Sequence, residues 1–133
     1  TRLGSSSFRW SEIWCATGLN QSSDKRLKKD IVSLSSALDK VMKMNPVSYH
    51  WIKGDSYTHI GFLAQELETV LPEVVRKPEA ARIEYDGRTP PTDGDMYAVN
   101  YSEIIPVLVK AIQEQQTQIK KLEQKIAVLE QNK

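Results

Sequence analysis

The sequence has 133 residues, of which 40% are hydrophobic and 26% charged, with a formal net charge of +1. This is the balance of an ordinary soluble protein with one modest domain, and it calls for neither nucleic acid nor a membrane as a partner. The single cysteine, Cys15, excludes an internal disulfide, His50 and His59 form no Cys/His set at metal-ligand spacing, and no apolar run nears the ~20 residues that cross a bilayer.

Neither a metal nor a cofactor is therefore expected. The N-terminus also lacks the charged-then-apolar order of a signal peptide, so synthesis in the cytosol is expected.

Residues 1–22 read as a separate segment, rich in Ser and Gly and carrying Phe8, Trp10, Ile13 and Trp14. Phe8 and Trp10 alternate as in a strand, whereas Trp10, Ile13 and Trp14 sit at helical spacing, and periodicity does not choose between them. So many rings on so short a stretch need a partner surface, unless they form a core-facing strand of the following domain.

From Ser23 the composition becomes charged. Ile31, Leu34, Leu38, Val41 and Met42 then recur at steps of three and four, which predicts a helix from Asp30 to Met44 ended by Asn45-Pro46. Val47, Tyr49 and Trp51 alternate with polar residues and predict a strand. A second strand over 58–62 makes a hairpin with it.

Ala64 to Leu71 reads as a short helix stopped by Pro72, and Val74 and Val75 resume extended structure. Residues 77–95, with Pro78, Gly87, Pro90, Pro91 and Gly94, read as a long loop around a brief strand at Arg82 to Tyr85. Met96 to Val99 returns to the sheet. Asn100 or Ser102 is then placed to cap a final helix with Pro106 near its first turn.

That helix, over 102–131, carries alternating steps of three and four through Ile105, Leu108, Ile112, Gln115, Ile119, Leu122, Ile126 and Leu129. With Ile105 at position a, every a position is Ile and every d position is Leu except Gln115. A narrow stripe flanked by Gln113, Glu114, Gln116, Lys120 and Glu123 suits a coiled coil better than packing on the helix's own domain. The expected fold is thus α+β, a small mixed domain of short antiparallel strands and helices followed by a long C-terminal helix. Ile at a with Leu at d leans towards dimers in parallel coils, and the effect of Gln115 on that balance is open.

Three blocks, SDKRLKKDI at 23–31, GFLAQELETVLPEVV at 61–75 and VNYSEIIPVLVKAIQEQ at 99–115, together resemble the peptidase S74 family. These are the intramolecular chaperone domains at the C-termini of phage endosialidases, tail fibres and neck appendages. The resemblance implies that 23–133 is such a domain and that 1–22 is the end of an upstream fibre or spike segment. It implies a homotrimer, so that the coiled coil would be trimeric, with the upstream part of the same precursor as a further partner. It also implies assembly in a host cytoplasm and release of the domain by cleavage of the Ser22-Ser23 bond, with Ser23 as nucleophile, Lys28 as its partner, and Asp24 and Arg26 in support.

The chemistry is reasonable in itself, because a serine hydroxyl needs a base, and a lysine serves as one only when burial or nearby positive charge favours its neutral form. Lys25, Arg26 and Lys29 supply charge, and a trimer interface would supply burial. Five residues along a regular helix set two side chains about 140° apart. The pair therefore needs a non-helical turn over 23–28, or a lysine from a neighbouring chain.

Simpler roles stand beside this one. Ser23 or Asp24 can cap a helix, the four cations of 25–29 can form a solvated face or a phosphate patch, and the whole domain can be a non-catalytic trimerisation module that stays attached to its fibre.

Overall fold

The structure, a computed structural model, describes residues 3–4, 9–77 and 96–133. They fall into two units: residues 1–33 with 77–96, and residues 34–76 with 97–133.

Among the described residues of the first unit, the regular element is the 3-10 turn Lys25–Leu27. Trp10, Ile13 and Trp14 belong to neither strand nor helix and are exposed, Trp14 to 90%. A stretch this short has too little apolar surface to enclose three large side chains against itself. Phe8, and the strand expected over Arg82 to Tyr85, lie outside the described residues.

The second unit holds α1 (Ala37–Lys43), the hairpin of β1 (Val47–Tyr49) and β2 (His59–Gly61), α2 (Ala64–Val70), β3 (Val75–Arg76), β4 (Ala98–Val99) and α3 (Ile104–Gln131). β1 and β2 pair antiparallel with Val47 opposite Gly61 and Tyr49 opposite His59. β3 and β4 form a separate antiparallel pair with Val75 opposite Val99. The mixed architecture of short antiparallel strands, short helices and one long terminal helix is as expected.

The core is small and wholly apolar. Ala37 from α1, Leu67 from α2, Leu71, Val74 and Val75 beyond it, and Ile104, Val107 and Ala111 from α3 are buried together. Phe62, Leu38, Val41, Met44 and Tyr97 pack around them. Pro72 stops α2 and opens a 3-10 turn, Pro72–Val74, which turns Val74 and Val75 inward.

Two expectations need correction. The first helix does not begin at Asp30 but at Ala37, and Ile31 and Leu34 are exposed outside it. Asp30 and Ser36 both take left-handed backbone angles, φ 53° and 54°, which no helix can pass through. Its start is instead fixed by tertiary contact, because Glu114 on α3 accepts the N–H groups of Ala37 at 3.4 Å and Leu38 at 2.8 Å.

The last helix starts at Ile104 rather than Ser102, and neither Asn100 nor Ser102 caps it through its side chain. Residues 101–103 form a 3-10 turn, and the Ser102 hydroxyl donates to Asn100 Oδ1 at 2.8 Å. Pro106 falls within the first turn of α3, where its missing N–H costs nothing.

The inner face of α3 lies beside the expected seam. Ile104, Val107 and Ala111 are the residues it buries in its own domain, one position off the expected seam. The near end of the helix therefore does serve its own core, while the stripe from Ile105 onward faces elsewhere.

Tyr101 joins the hairpin to the root of α3. Its hydroxyl accepts the Phe62 N–H at 2.9 Å, and its ring stacks on Phe62. Gly61 is needed at that junction, since a Cβ there would run into the Tyr101 hydroxyl and press on the Tyr49 ring at 3.4 Å. On the other side, Arg76 reaches both oxygens of Glu103 at 3.0 and 3.2 Å.

Candidate active site

Ser23 and Lys28 are brought together by one tight turn. The Asp24 carbonyl accepts the Leu27 N–H and the Lys25 carbonyl accepts the Lys28 N–H, each at 3.1 Å. Two successive bonds of this kind make one turn of 3-10 helix over Lys25–Leu27. Asp24 enters the turn extended (φ −62°, ψ 130°) and Lys28 leaves it extended (φ −118°, ψ 145°).

The Lys28 Nζ lies 2.7 Å from Ser23 Oγ, within hydrogen-bond reach. The obstacle posed by a regular helix does not arise, because the turn is not one. Both residues are exposed in the single chain, as is Ser22 before them.

Asp24 shapes this turn. Its Oδ1 accepts the Arg26 backbone N–H at 2.9 Å, satisfying a donor that the turn leaves free. The Arg26 guanidinium then grips the same carboxylate, with Nη2 at 2.7 Å from Oδ2 and Nε at 3.1 and 3.2 Å from the two oxygens. The guanidinium bond, and after it the backbone bond, hold the Asp24 carboxyl below the usual carboxylate range. Of the cations that might have formed a phosphate patch, Arg26 is thus engaged by Asp24 and Lys28 by Ser23.

A second feature is the stripe on α3. Ile105, Leu108, Ile112, Gln115, Ile119, Leu122, Ile126 and Leu129 are all exposed in the single chain, Ile112 to 64% and Leu129 to 67%. A helix of 28 residues runs about 42 Å. Apolar exposure of that length on one line is larger than scattered surface leucines.

Sequence reasoning overlooked two residues that fix the frame, Tyr101 and Glu114. Glu114 had been counted among the polar flanks of the stripe, and nothing local distinguishes it from Glu123. Among the described residues, no three His, Cys, Asp or Glu side chains are grouped to hold a metal ion, and no helix is long and apolar enough to cross a membrane.

Comparison with known proteins gives these features a context. The model of the Peptidase S74 family, described as chaperone of endosialidase, matches residues 23–76. The long tail fiber protein Gp37 of Enterobacteria phage K3 is 34% identical over 108 residues, covering 78% of this chain. Its counterpart from Salmonella phage S16 is 33% identical over 122 residues, covering 83%. The chain spans only 8% and 15% of these two proteins.

Among solved structures, the carboxy-terminal domain of the bacteriophage T5 L-shaped tail fiber with its intra-molecular chaperone domain matches 91% of this chain and 36% of that one. The TM-score is 0.58 at 15% identity, a likeness of fold. The family match, beside the similarity to phage tail fibre proteins, leads to one assignment: residues 23–76 carry a Peptidase S74, chaperone of endosialidase, domain.

Proposed function

We propose that this chain is the chaperone end of a phage tail fibre or tailspike precursor, which brings three chains into register through α3 and then releases itself by cutting the Ser22-Ser23 bond. The observation that carries the cutting step is the 2.7 Å contact between Lys28 Nζ and Ser23 Oγ. The exposed stripe on α3 supports the assembly step, because three such helices side by side would remove it from water.

A charged Lys28 donates to the hydroxyl; a neutral one accepts its proton. In the reaction, Ser23 Oγ attacks the carbonyl carbon of Ser22 while its proton passes to Lys28 Nζ. The C–N bond breaks, the Ser23 amine takes that proton back, and an ester joins Ser22 to Ser23 Oγ. Water then hydrolyses the ester, leaving a carboxylate on Ser22 and a free amine and hydroxyl on Ser23. Each chain turns over once.

In a lone chain the turn lies open to water, without the burial that favours a neutral amine. Burial of the turn between assembled chains changes that. Cutting then follows assembly, which is the order a folding checkpoint requires.

The test is mass spectrometry of a precursor that includes the upstream fibre. A fragment beginning at Ser23, absent in Ser23→Ala and Lys28→Ala, is the expected result. The α3 stripe by itself also suits a second reading, a trimerisation module that stays attached; an uncut, assembled precursor would favour it.

A further inference from the structure

Arg26 holds every hydrogen-bonding edge of Asp24 that faces it, while Lys28, on the same turn, is left to Ser23. This division matters because a carboxylate and an ammonium four residues apart, flanking one turn, are natural partners. A carboxylate within about 4–6 Å of a lysine favours its charged form, the form that cannot act as a base. We propose that Arg26 is a positioning residue of the Ser23–Lys28 pair: by occupying both oxygens of Asp24 it keeps the turn closed and withholds that carboxylate from Lys28. The inference rests on the Ser23–Lys28 reading above.

The geometry favours this arrangement over the exchanged one. The guanidinium meets the carboxylate as a planar fork with contacts to both oxygens, which a single ammonium cannot match. One of those oxygens also takes the Arg26 backbone N–H, so the same residue closes the turn from its main chain and its side chain. The other charged groups of this segment are Lys25, Lys29 and Asp30, and the turn buries none of its own residues. Lys25 and Lys29 carry the same sign of charge as Lys28, and Asp24 and Asp30 the opposite one. Asp24, next to the nucleophile, is the carboxylate that Arg26 neutralises.

The pH dependence of self-cleavage in the full-length precursor tests the proposal, comparing the parent, Arg26→Gln, and Arg26→Gln combined with Asp24→Asn. In Arg26→Gln the released carboxylate should slow cutting at Ser23 about tenfold at neutral pH and move the rise of the profile about one pH unit to the alkaline side. Adding Asp24→Asn removes that carboxylate and should bring the rise back to the parent position, whatever the remaining rate. A role limited to turn stability would lower the rate equally at every pH, and an Arg26→Gln profile that superimposes on the parent after scaling would overturn the inference. So would a double variant that stays shifted. If the parent itself yields no new end at Ser23, the dyad reading falls and takes this one with it.

Discussion

The Glu114 carboxylate accepts the Leu38 N–H at 2.8 Å, so a side chain on the long helix sets where the short helix α1 begins. These two residues are 76 positions apart. The bond ties the domain's first helix to the element proposed to carry assembly.

That tie has a pH signature. The Leu38 N–H, with smaller help from Ala37 and Lys110, holds the Glu114 carboxyl below its usual range. A depressed value in the folded state contributes stability that is complete above the unfolded value of ~4.3 and is lost as pH falls through the folded one. Glu114→Ala should lower Tm by roughly a few degrees at pH 7, and the gap to the parent should close as pH drops below about 4. Thermal unfolding monitored by circular dichroism over that range is the check; a gap independent of pH would remove the carboxylate from the account.

Gly61 and Tyr101 form a second coupled pair. Tyr101→Phe removes the acceptor of the Phe62 N–H and should cost about 0.5–1.5 kcal/mol. Gly61→Ala drives a methyl group against the same hydroxyl and the Tyr49 ring, at about 1–3 kcal/mol. Because the hydroxyl is the main obstacle, the double variant should lose less than the sum. Denaturant titration of all four proteins reads that coupling, and strict additivity would contradict the packing at this junction.

Core and stripe should separate cleanly. Leu71→Ala empties a buried site and should destabilise the domain by about 2–5 kcal/mol. Leu122→Lys lies on the exposed stripe, outside that core, and should leave the domain's own unfolding midpoint unchanged at low protein concentration while reducing the assembly to single chains. Native mass spectrometry beside denaturant titration distinguishes the two; an unaltered assembly in Leu122→Lys would contradict the use of α3.

Much of this was legible in the sequence, and what was not has a physical reason. The hairpin followed from strict alternation at Val47 and Tyr49, α2 from its Pro72 stop, and α3 from a pattern too long to mistake. The start of α1 was missed because Ile31 and Leu34 continue the helical spacing by coincidence, while the break at Ser36 and the cap from Glu114 depend on partners distant in sequence. At the candidate site, residue types and spacing pointed to Ser23 and Lys28, but only the turn explains how they meet. Arg26 stood out, with Asp24, only through the family resemblance, and its grip on Asp24 is a matter of rotamer and fork geometry that composition does not encode.

The most direct test of the central claim is Lys28→Arg in the full-length precursor, followed by N-terminal sequencing of the assembled product. Arginine keeps the positive charge and reach of the side chain but does not give up its proton. The account predicts three-chain assemblies of intact precursor with no chain starting at Ser23, beside a parent that is cut there. Cleavage at Ser23 in the arginine variant at the parent's rate would contradict a proton transfer to position 28.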